Sequence, residues 1–246
     1  MNDKNIEKHR YDSRAKKRLE LQDYTFRTNI CAQLQPAVSS YKKLLTEVPP
    51  GSKVLEIGAG MGENTEFLLE LGLDVCATDI SSNSVEILVN KFAKYDSFNA
   101  EVADMERLPF SDNLFNVVCS AGSLSYGDNS VVMNEIYRVL AKGGVFIALD
   151  SLSNNPIYKL NRYLHFLLGN RSKSTLERMP TVGLIDSYAL KFGSVEVAYF
   201  GSITWLFPIL TKFLSDNSVR EVSNNVDKRL NIKKSAFKFT MKATKL

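Results

Sequence analysis

The chain has 246 residues, and its hydrophobic content of 44% and charged content of 24% are those of an ordinary globular protein. These values argue against a low-complexity chain. The net charge of +4 is too small to indicate nucleic acid as a partner. The three cysteines show no paired or metal-binding pattern, so we expect no disulfide framework, no metal site and a reducing location, the cytoplasm.

The apolar runs of the chain are short. The longest one near the end, at residues 203–210, is well below the roughly 20 residues that a transmembrane helix needs. Residues 1–5 are polar and lack the apolar core of a secretory signal. We therefore expect no transmembrane segment.

From the amino terminus, residues 1–50 predict polar helices that end at a Pro-Pro-Gly run, since proline cannot continue a helix. Strands and helices then alternate up to residue 150, and the pattern loosens afterwards. The predicted strands are 53–57, 74–78, 98–102, 115–121, 145–149 and 195–200, and the predicted helices are 61–71, 82–94, 131–140 and 182–191. We predict one domain over 1–246, with an N-terminal helical lid (1–50), a core (51–150), two insertions (151–180 and 201–234) and a last strand (235–246).

The alternation of apolar strands with helices is typical of an α/β fold, a parallel sheet that helices cover on both faces. Such sheets bind ligands outside the carboxyl ends of their strands. Polar side chains stand at or near those ends, and we expect them to share one edge of the sheet: Glu56, Asp79, Asp104, Ser120 and Asp150.

A glycine-rich turn follows the first predicted strand. Gly58, Gly60 and Gly62 alternate, whereas the dinucleotide pattern would place its third glycine at position 63, which is Glu63. A carboxylate there disfavours a pyrophosphate and favours a ligand with a cationic or zwitterionic end. Asp79 would accept hydrogen bonds from a ribose, and the pair Asp104-Met105 would contact an adenine.

Several segments, in this order and spacing, resemble the class I S-adenosylmethionine-dependent methyltransferases of the type 11 group: 56–62, 78–79, 103–104, 108–110 and 139–144. The resemblance implies a Rossmann-like sheet of seven strands in the order 3-2-1-4-5-7-6, with strand seven antiparallel. It also implies methyl transfer from the cofactor sulfonium. The glycines would line the methionine end, Glu56 would orient the turn, and Ser120 and Ala121 would lie beside the sulfur. The implied cofactor-binding residues are Glu56, Gly58, Ala59, Gly60, Gly62, Asp79, Ile80, Asp104, Met105, Ser120 and Ala121.

Both insertions leave from carboxyl ends of strands, so we expect them to form a lid over the substrate. If residues from 157 onwards are helical, Tyr158, Arg162 and His165 share one face and would approach a polar ligand. A solvated helix face is the alternative. The predicted substrate-binding residues are Tyr11, Tyr126, Asn155, Tyr158, Arg162, Arg171 and Arg178.

Two residues are candidates for a catalytic base. His165 is suited to taking a proton from a sugar hydroxyl, and Asp150 is its rival. The alternative for His165 is a packing or capping role in its helix. An amine acceptor would need little more than positioning.

A weaker resemblance concerns the insertions and the last strand. Segments 155–158, 171–175 and 234–239 are similar to methyltransferases of bacterial surface-polysaccharide pathways. This implies O-methylation of a sugar, nucleotide-sugar or glycan; the alternatives are a small-molecule N-methyltransferase and a non-catalytic cofactor-binding module. Residues 205–213 could pack in the core, stack on a sugar or touch a membrane. The segment 120–123 lacks the Asn/Asp-Pro-Pro-aromatic pattern of base-amino methyltransferases, which disfavours nucleic acid.

Overall fold

The computed structural model describes residues 3–21, 35–168, 172–230 and 232–246. Its centre is a sheet of seven strands in the order β3-β2-β1-β4-β5-β7-β6. The first five strands pair in parallel, and β7 runs antiparallel to both β5 and β6. The strands are β1 (Lys53–Ile57), β2 (Asp74–Asp79), β3 (Phe98–Val102), β4 (Phe115–Ala121), β5 (Leu140–Ser151), β6 (Gly193–Phe200) and β7 (Lys238–Lys245).

Helices cover both faces of this sheet, which confirms the predicted fold class. The helices are α1 (Asp3–Leu21), α2 (Gln35–Thr46), α3 (Thr65–Glu70), α4 (Ser82–Phe92), α5 (Asn129–Val139), α6 (Pro156–Leu167), α7 (Lys173–Glu177), α8 (Val182–Phe192), α9 (Phe207–Leu210) and α10 (Asp216–Leu230). Side chains of α2, α3 and α4 pack in one apolar cluster with the sheet. Those of α5 and α8 pack in the other.

The boundaries differ from the predicted ones where the local backbone is unusual. The helix predicted from residue 61 begins at Thr65, because Gly58, Gly60 and Gly62 all have positive φ and keep the preceding residues out of the helix. Strand β5 begins at Leu140, five residues early, and pairs across an irregularity with Phe115. Short apolar alternation cannot mark such an irregularity in advance.

The elements before and after the core gather over one edge of the sheet. Helix α1 packs against α4, and α7 packs against the 3-10 turn Leu124–Tyr126 that follows β4. The hydroxyl of Ser81, at the N-cap of α4, donates to the carboxylate of Asp12 in α1. The lid therefore combines an N-terminal helix with the first insertion, at the carboxyl ends of the parallel strands.

Candidate cofactor and acceptor site

A cavity of about 300 Å³ lies at the carboxyl ends of the parallel strands. Its size is at the lower end of small-molecule sites, which measure about 300–1,000 Å³. Four walls come from the core and one from α1. The core walls are residues 58–61 with 63–64, 78–80, 103–105 and 121–123, together with Tyr126.

The glycine turn approaches the cavity closely at one position. Gly60 has φ of +58°, and a Cβ added to it would meet no atom within 4 Å, so its open side faces the cavity. A Cβ on Gly58 would lie 2.5 Å from the Cβ of Ser123, and one on Gly62 would lie 2.5 Å from the ring of Phe92. Gly58 and Gly60 line the cavity, whereas Gly62 packs against α4 instead of facing it, unlike the predicted arrangement.

Asp79 connects the turn to the next strand. Its Oδ2 accepts a hydrogen bond from the backbone amide of Gly60 at 2.9 Å, and its Oδ1 accepts one from Ser81 at 2.9 Å. Burial raises the pKa of this carboxyl, while these amides oppose the rise. Each carboxylate oxygen has a second lone pair, so Asp79 can hold the turn and still face a ligand in the cavity.

Glu56 lies beneath the turn and not at the cavity wall. It is buried, and its Oε2 accepts a hydrogen bond from the hydroxyl of Thr65 at 2.6 Å, at the first residue of α3. Burial raises the pKa of Glu56 to about 7, against the opposing effect of Thr65. The sequence predicted that Glu56 orients the loop, and the structure places its carboxyl where it joins the end of β1 to α3.

The predicted adenine-side residues lie at the cavity wall. Ile80, Asp104 and Met105 all line it. The Oδ1 of Asp104 accepts a hydrogen bond from the amide of Glu106 at 2.9 Å, which shapes the turn after β3. Asp104 thus shapes the turn after β3 and also lies at the cavity wall.

At the end of β4, the residue at the cavity is not the serine that we predicted. Ser120 is fully buried, and its hydroxyl lies 2.6 Å from that of Ser123, which donates to the carbonyl of Ile57 at 3.1 Å. Ala121 and Ser123 line the cavity, and Ser120 supports Ser123 from below. Strand alternation explains this difference, because side chains of one strand point alternately to its two faces. Gly122, with φ of +80°, then turns Ser123 inward.

Helix α1 supplies cavity residues that the sequence analysis missed. Glu7, Lys8 and Arg14 line the cavity together with the predicted Tyr11. Positions 7, 11 and 14 have the spacing of one helix face. That spacing was available in the sequence, but nothing local indicates that this face meets the cavity.

Two phenol groups meet at the α1 side of the cavity. The hydroxyl of Tyr11 donates to that of Tyr126 at 2.7 Å, and their rings make an edge contact with centroids 5.6 Å apart. Burial raises the pKa of Tyr126 well above its ordinary value, so it stays a neutral donor. Both predicted substrate-side tyrosines therefore stand together at the cavity.

Glu7 joins α1 to the first insertion. Its carboxylate accepts hydrogen bonds from the amide of Ser172 and the hydroxyl of Thr175, and it forms an ion pair with Arg10 at 2.7 Å. The lid helix is thus bonded to a segment more than 160 residues away.

The predicted cluster on α6 is divided by the structure. Tyr158 and Arg162 are buried: Tyr158 donates to the carbonyl of Gly201 at 3.0 Å, and Arg162 donates to that of Leu152 at 3.0 Å. His165 is exposed, and it does not line the cavity. The three side chains therefore do not approach one ligand, because the buried face of α6 is narrow and turned towards Leu152, Gly201 and Phe237.

The rival base Asp150 is also occupied with the backbone. It is buried, and its oxygens accept hydrogen bonds from Leu124 at 3.0 Å and Ser151 at 2.6 Å. Burial raises the pKa of Asp150, with the nearby Lys238 opposing the rise. The carboxylate lies outside the cavity wall and holds the turn that carries Ser123.

The remaining substrate-side residues have structural partners. Asn155 caps α6 by accepting from the amide of Ile157 at 2.8 Å. Arg178 lies 3.7 Å from the carboxylate of Glu106, beside the cavity rim. The predicted Arg171 lies outside the described residues. Within the described ranges, no group of three or more His, Cys, Asp or Glu is placed to hold a metal ion, and no helix is long and apolar enough to cross a membrane.

Comparison with known proteins identifies the core. Residues 55–148 match the protein family described as Methyltransferase domain. Over this range the chain is similar to class I S-adenosylmethionine-dependent methyltransferases. The matched range runs from β1 to β5, and it carries every core wall of the cavity.

The methyltransferase domain is similar to parts of longer curated proteins. Sterol 4-C-methyltransferase strm-1 of Caenorhabditis elegans is 36% identical over 112 residues, 44% of this chain and 34% of that protein. A demethylmenaquinone methyltransferase of Paenarthrobacter aurescens (strain TC1) is 30% identical over 129 residues, 50% of this chain and 47% of that protein. The matching segments thus span about a third to a half of these relatives.

Solved structures agree with the fold of the methyltransferase. Phosphoethanolamine N-methyltransferase 2 of Haemonchus contortus, in complex with S-adenosylhomocysteine, has a TM-score of 0.59 at 18% identity, covering 86% of this chain and 52% of that one. At this identity the likeness concerns the fold alone. These names include sterol, quinone and amine methyltransferases, and the narrower resemblance to the surface-polysaccharide subset is not supported.

Proposed function

We propose that this chain transfers a methyl group from S-adenosylmethionine to a small-molecule acceptor. The observation that carries this proposal is the cavity at the carboxyl ends of β1, β2 and β4. There the open side of Gly60, the carboxylate of Asp79 and the pair Asp104-Met105 meet.

The residues present fit this cofactor. Carboxylates of Glu63, Asp79 and Asp104 lie on the core side, and the cations Lys8 and Arg14 lie on the α1 side. Such a pair of walls suits a zwitterion that also carries a sulfonium. S-adenosylmethionine, when bound, supplies an electrophilic methyl group on sulfur.

Within this cavity we assign the cofactor's parts by position. Gly58, Ala59 and Gly60 would hold the methionine end, and the missing side chain of Gly60 would let the backbone come close to it. Asp79 and Ile80 would hold the ribose and flank the adenine, and Asp104 with Met105 would hold the adenine edge. Ser123, held by Ser120, would lie near the reacting centre.

The acceptor side is the lid formed by α1. The hydroxyl of Tyr11 donates to that of Tyr126, which leaves the proton of Tyr126 for donation at this wall, and α1 excludes water when it packs on α4. The predicted bases, His165 and Asp150, do not line the cavity. We therefore propose that positioning of the acceptor, rather than a dedicated base, supplies most of the rate.

The acceptor itself is proposed as a compact nucleophile. A sugar hydroxyl, as the sequence resemblance implied, is one candidate, and an amine is another, because an amine that is already neutral needs no base. Among the residues that the structure describes, no histidine lines this cavity, which favours the amine or an acidic hydroxyl over an ordinary sugar alcohol.

The test is cofactor binding followed by turnover. Calorimetry should show binding of S-adenosylmethionine to the full chain. Release of S-adenosylhomocysteine is then measured with a panel of nucleotide-sugars, amines, quinols and sterols. Absence of cofactor binding would overturn the proposal.

Binding without turnover on any acceptor would favour a non-catalytic cofactor-binding module. That alternative has one observation in its favour, namely that both predicted bases stand away from the cavity. The same fold carries many unrelated functions.

A further inference from the structure

Helix α6 is built with its apolar side outwards. Its buried residues are Tyr158 and Arg162, which bond to backbone carbonyls of the core. Its large apolar side chains lie on the opposite side and are 45–72% exposed: Ile157, Leu160, Tyr163, Leu164, Leu167 and Leu168. An ordinary surface helix has the reverse arrangement.

The second insertion contacts the buried side of α6 and exposes apolar side chains of its own. The hydroxyl of Tyr158 donates to the carbonyl of Gly201, so the start of α6 touches the start of the segment 201–214. That segment exposes Ile209 by 56% and Phe213 by 82%. We call α6 with residues 201–214 the apolar lid face. Isolated exposed apolar residues need no explanation, but a cluster of this size marks an interaction surface.

The charges on the apolar lid face all have one sign. Segments 156–168 and 201–214 contain no Asp or Glu. Lys159 and Lys212 are exposed on them. Apolar side chains flanked by lysines are typical of helices that lie in the interface of a bilayer with anionic lipids.

The positive charge of the apolar lid face favours a bilayer over a second copy of the chain as its binding partner. A twofold interface pairs the same patch of both copies, so that residues of one copy contact different residues of the other. Segments 156–168 and 201–214 contain no carboxylate side chain, so neither copy would offer an ion-pair partner to Lys159 or Lys212. An anionic bilayer attracts the same lysines and accepts the leucines. We propose that the apolar lid face docks the protein on the surface of an anionic membrane.

The position of the face gives docking a consequence. Helix α6 packs against α7, and α7 packs against the turn that carries Tyr126, a wall of the cavity. The apolar lid face is therefore connected through α7 to an element of the cavity wall. This goes beyond the proposed methyl transfer, and vesicle binding does not depend on it.

The test uses the full chain and vesicles without cofactor. Flotation is measured with phosphatidylcholine vesicles and with vesicles in which about a third of the lipid is phosphatidylglycerol. We expect binding to the anionic vesicles that weakens when salt is raised from about 0.1 M to about 0.5 M, because salt screens the lysines.

The variant combines Leu160→Gln, Leu164→Gln and Leu167→Gln, which are exposed and leave the core intact. We expect its partition to anionic vesicles to fall at least about ten-fold. The control combines Val89→Gln, Val131→Gln and Leu190→Gln, exposed apolar residues of α4, α5 and α8. The control should bind like the parent chain, and both variants should keep the affinity of the parent for S-adenosylmethionine.

Three results would overturn the proposal. They are a parent chain that does not float with anionic vesicles, a leucine variant that floats like the parent, and a control that loses binding equally. A parent dimer in sedimentation velocity that the leucine variant abolishes, without vesicle binding, would assign the face to a second copy. Loss of methyl transfer with vesicle binding retained would affect the proposed function alone.

Discussion

The core edge and the lid of this protein use polar side chains in opposite ways. At the core edge, Asp79, Asp104 and Ser123 bond to nearby backbone and still border the cavity. In the lid, Tyr158 and Arg162 are buried away from the cavity, while leucines face outwards. A polar residue at a strand end thus lies close to the site, but Glu56, Ser120 and Asp150 show that its partners can keep it behind the cavity wall. A polar residue in an insertion likewise indicates a site only after its partners are known.

The strongest test of the core edge is Asp79→Ala. The change removes the acceptor for Gly60 and Ser81 and a proposed ribose contact, so we expect the affinity for S-adenosylmethionine to fall about 100-fold or more. Calorimetry measures the affinity, and circular dichroism checks that the fold persists. Asp74→Ala, at the exposed start of the same strand, is the control. Unchanged binding in Asp79→Ala would remove this residue from the site.

The next test concerns the buried carboxyl under the turn. Since the pKa of Glu56 is about 7 in the folded chain and 4.5 ordinarily, the folded state binds more protons between these values. Its contribution to stability therefore falls as pH rises from about 4.5 to 7, by up to roughly 3 kcal/mol. The substitution Glu56→Gln removes this pH-dependent loss of stability, so the variant should be more stable than the parent at pH 8.

Urea unfolding of both proteins without cofactor, at pH 5 and pH 8, measures that difference. Burial also raises the pKa of Asp79 and Asp150, so the free energy of unfolding still changes with pH in both proteins. The prediction therefore concerns the difference in unfolding free energy between parent and variant at each pH. A gap that stays constant from pH 5 to pH 8 would show that Glu56 does not titrate in this range.

A smaller effect is expected at the lid wall. Tyr126→Phe removes one hydroxyl of the pair with Tyr11, a neutral hydrogen bond worth about 1 kcal/mol. We expect turnover to fall about five-fold while cofactor affinity changes less than two-fold, in keeping with an acceptor-side role. Tyr163→Phe, on the exposed face of α6, is the control. Equal losses in turnover and cofactor affinity would place Tyr126 on the cofactor instead.

The smallest effect is expected at His165. His165 is exposed and does not line the cavity, so we no longer expect it to act as the base. The substitution His165→Ala should keep turnover within about two-fold of the parent, because substitutions of exposed residues usually have small effects. Steady-state rates with the acceptor found in the panel measure it. A loss above about ten-fold would restore the catalytic role that the sequence predicted.

The sequence alone determined the fold and the core edge of the site. Alternating strands and helices predicted the strands, and the family resemblance carried by the motifs from Glu56 to Gly144 implied their order, which the structure confirms. The cavity residues Gly58, Gly60, Asp79 and Asp104 were predicted too, because each stands at a fixed offset from a strand end. Their individual roles in binding stay predictions.

Only the tertiary structure decided which part of the molecule packs against each face of a helix. The face of α1 that lines the cavity depends on contacts such as that between Tyr11 and Tyr126, 115 residues apart. The orientation of α6 about its own axis buries Arg162 and exposes the leucines, and it depends on hydrogen bonds to Leu152 and Gly201. Spacing along a chain defines the faces of a helix, but the partner that covers each face comes from distant segments that local sequence does not specify.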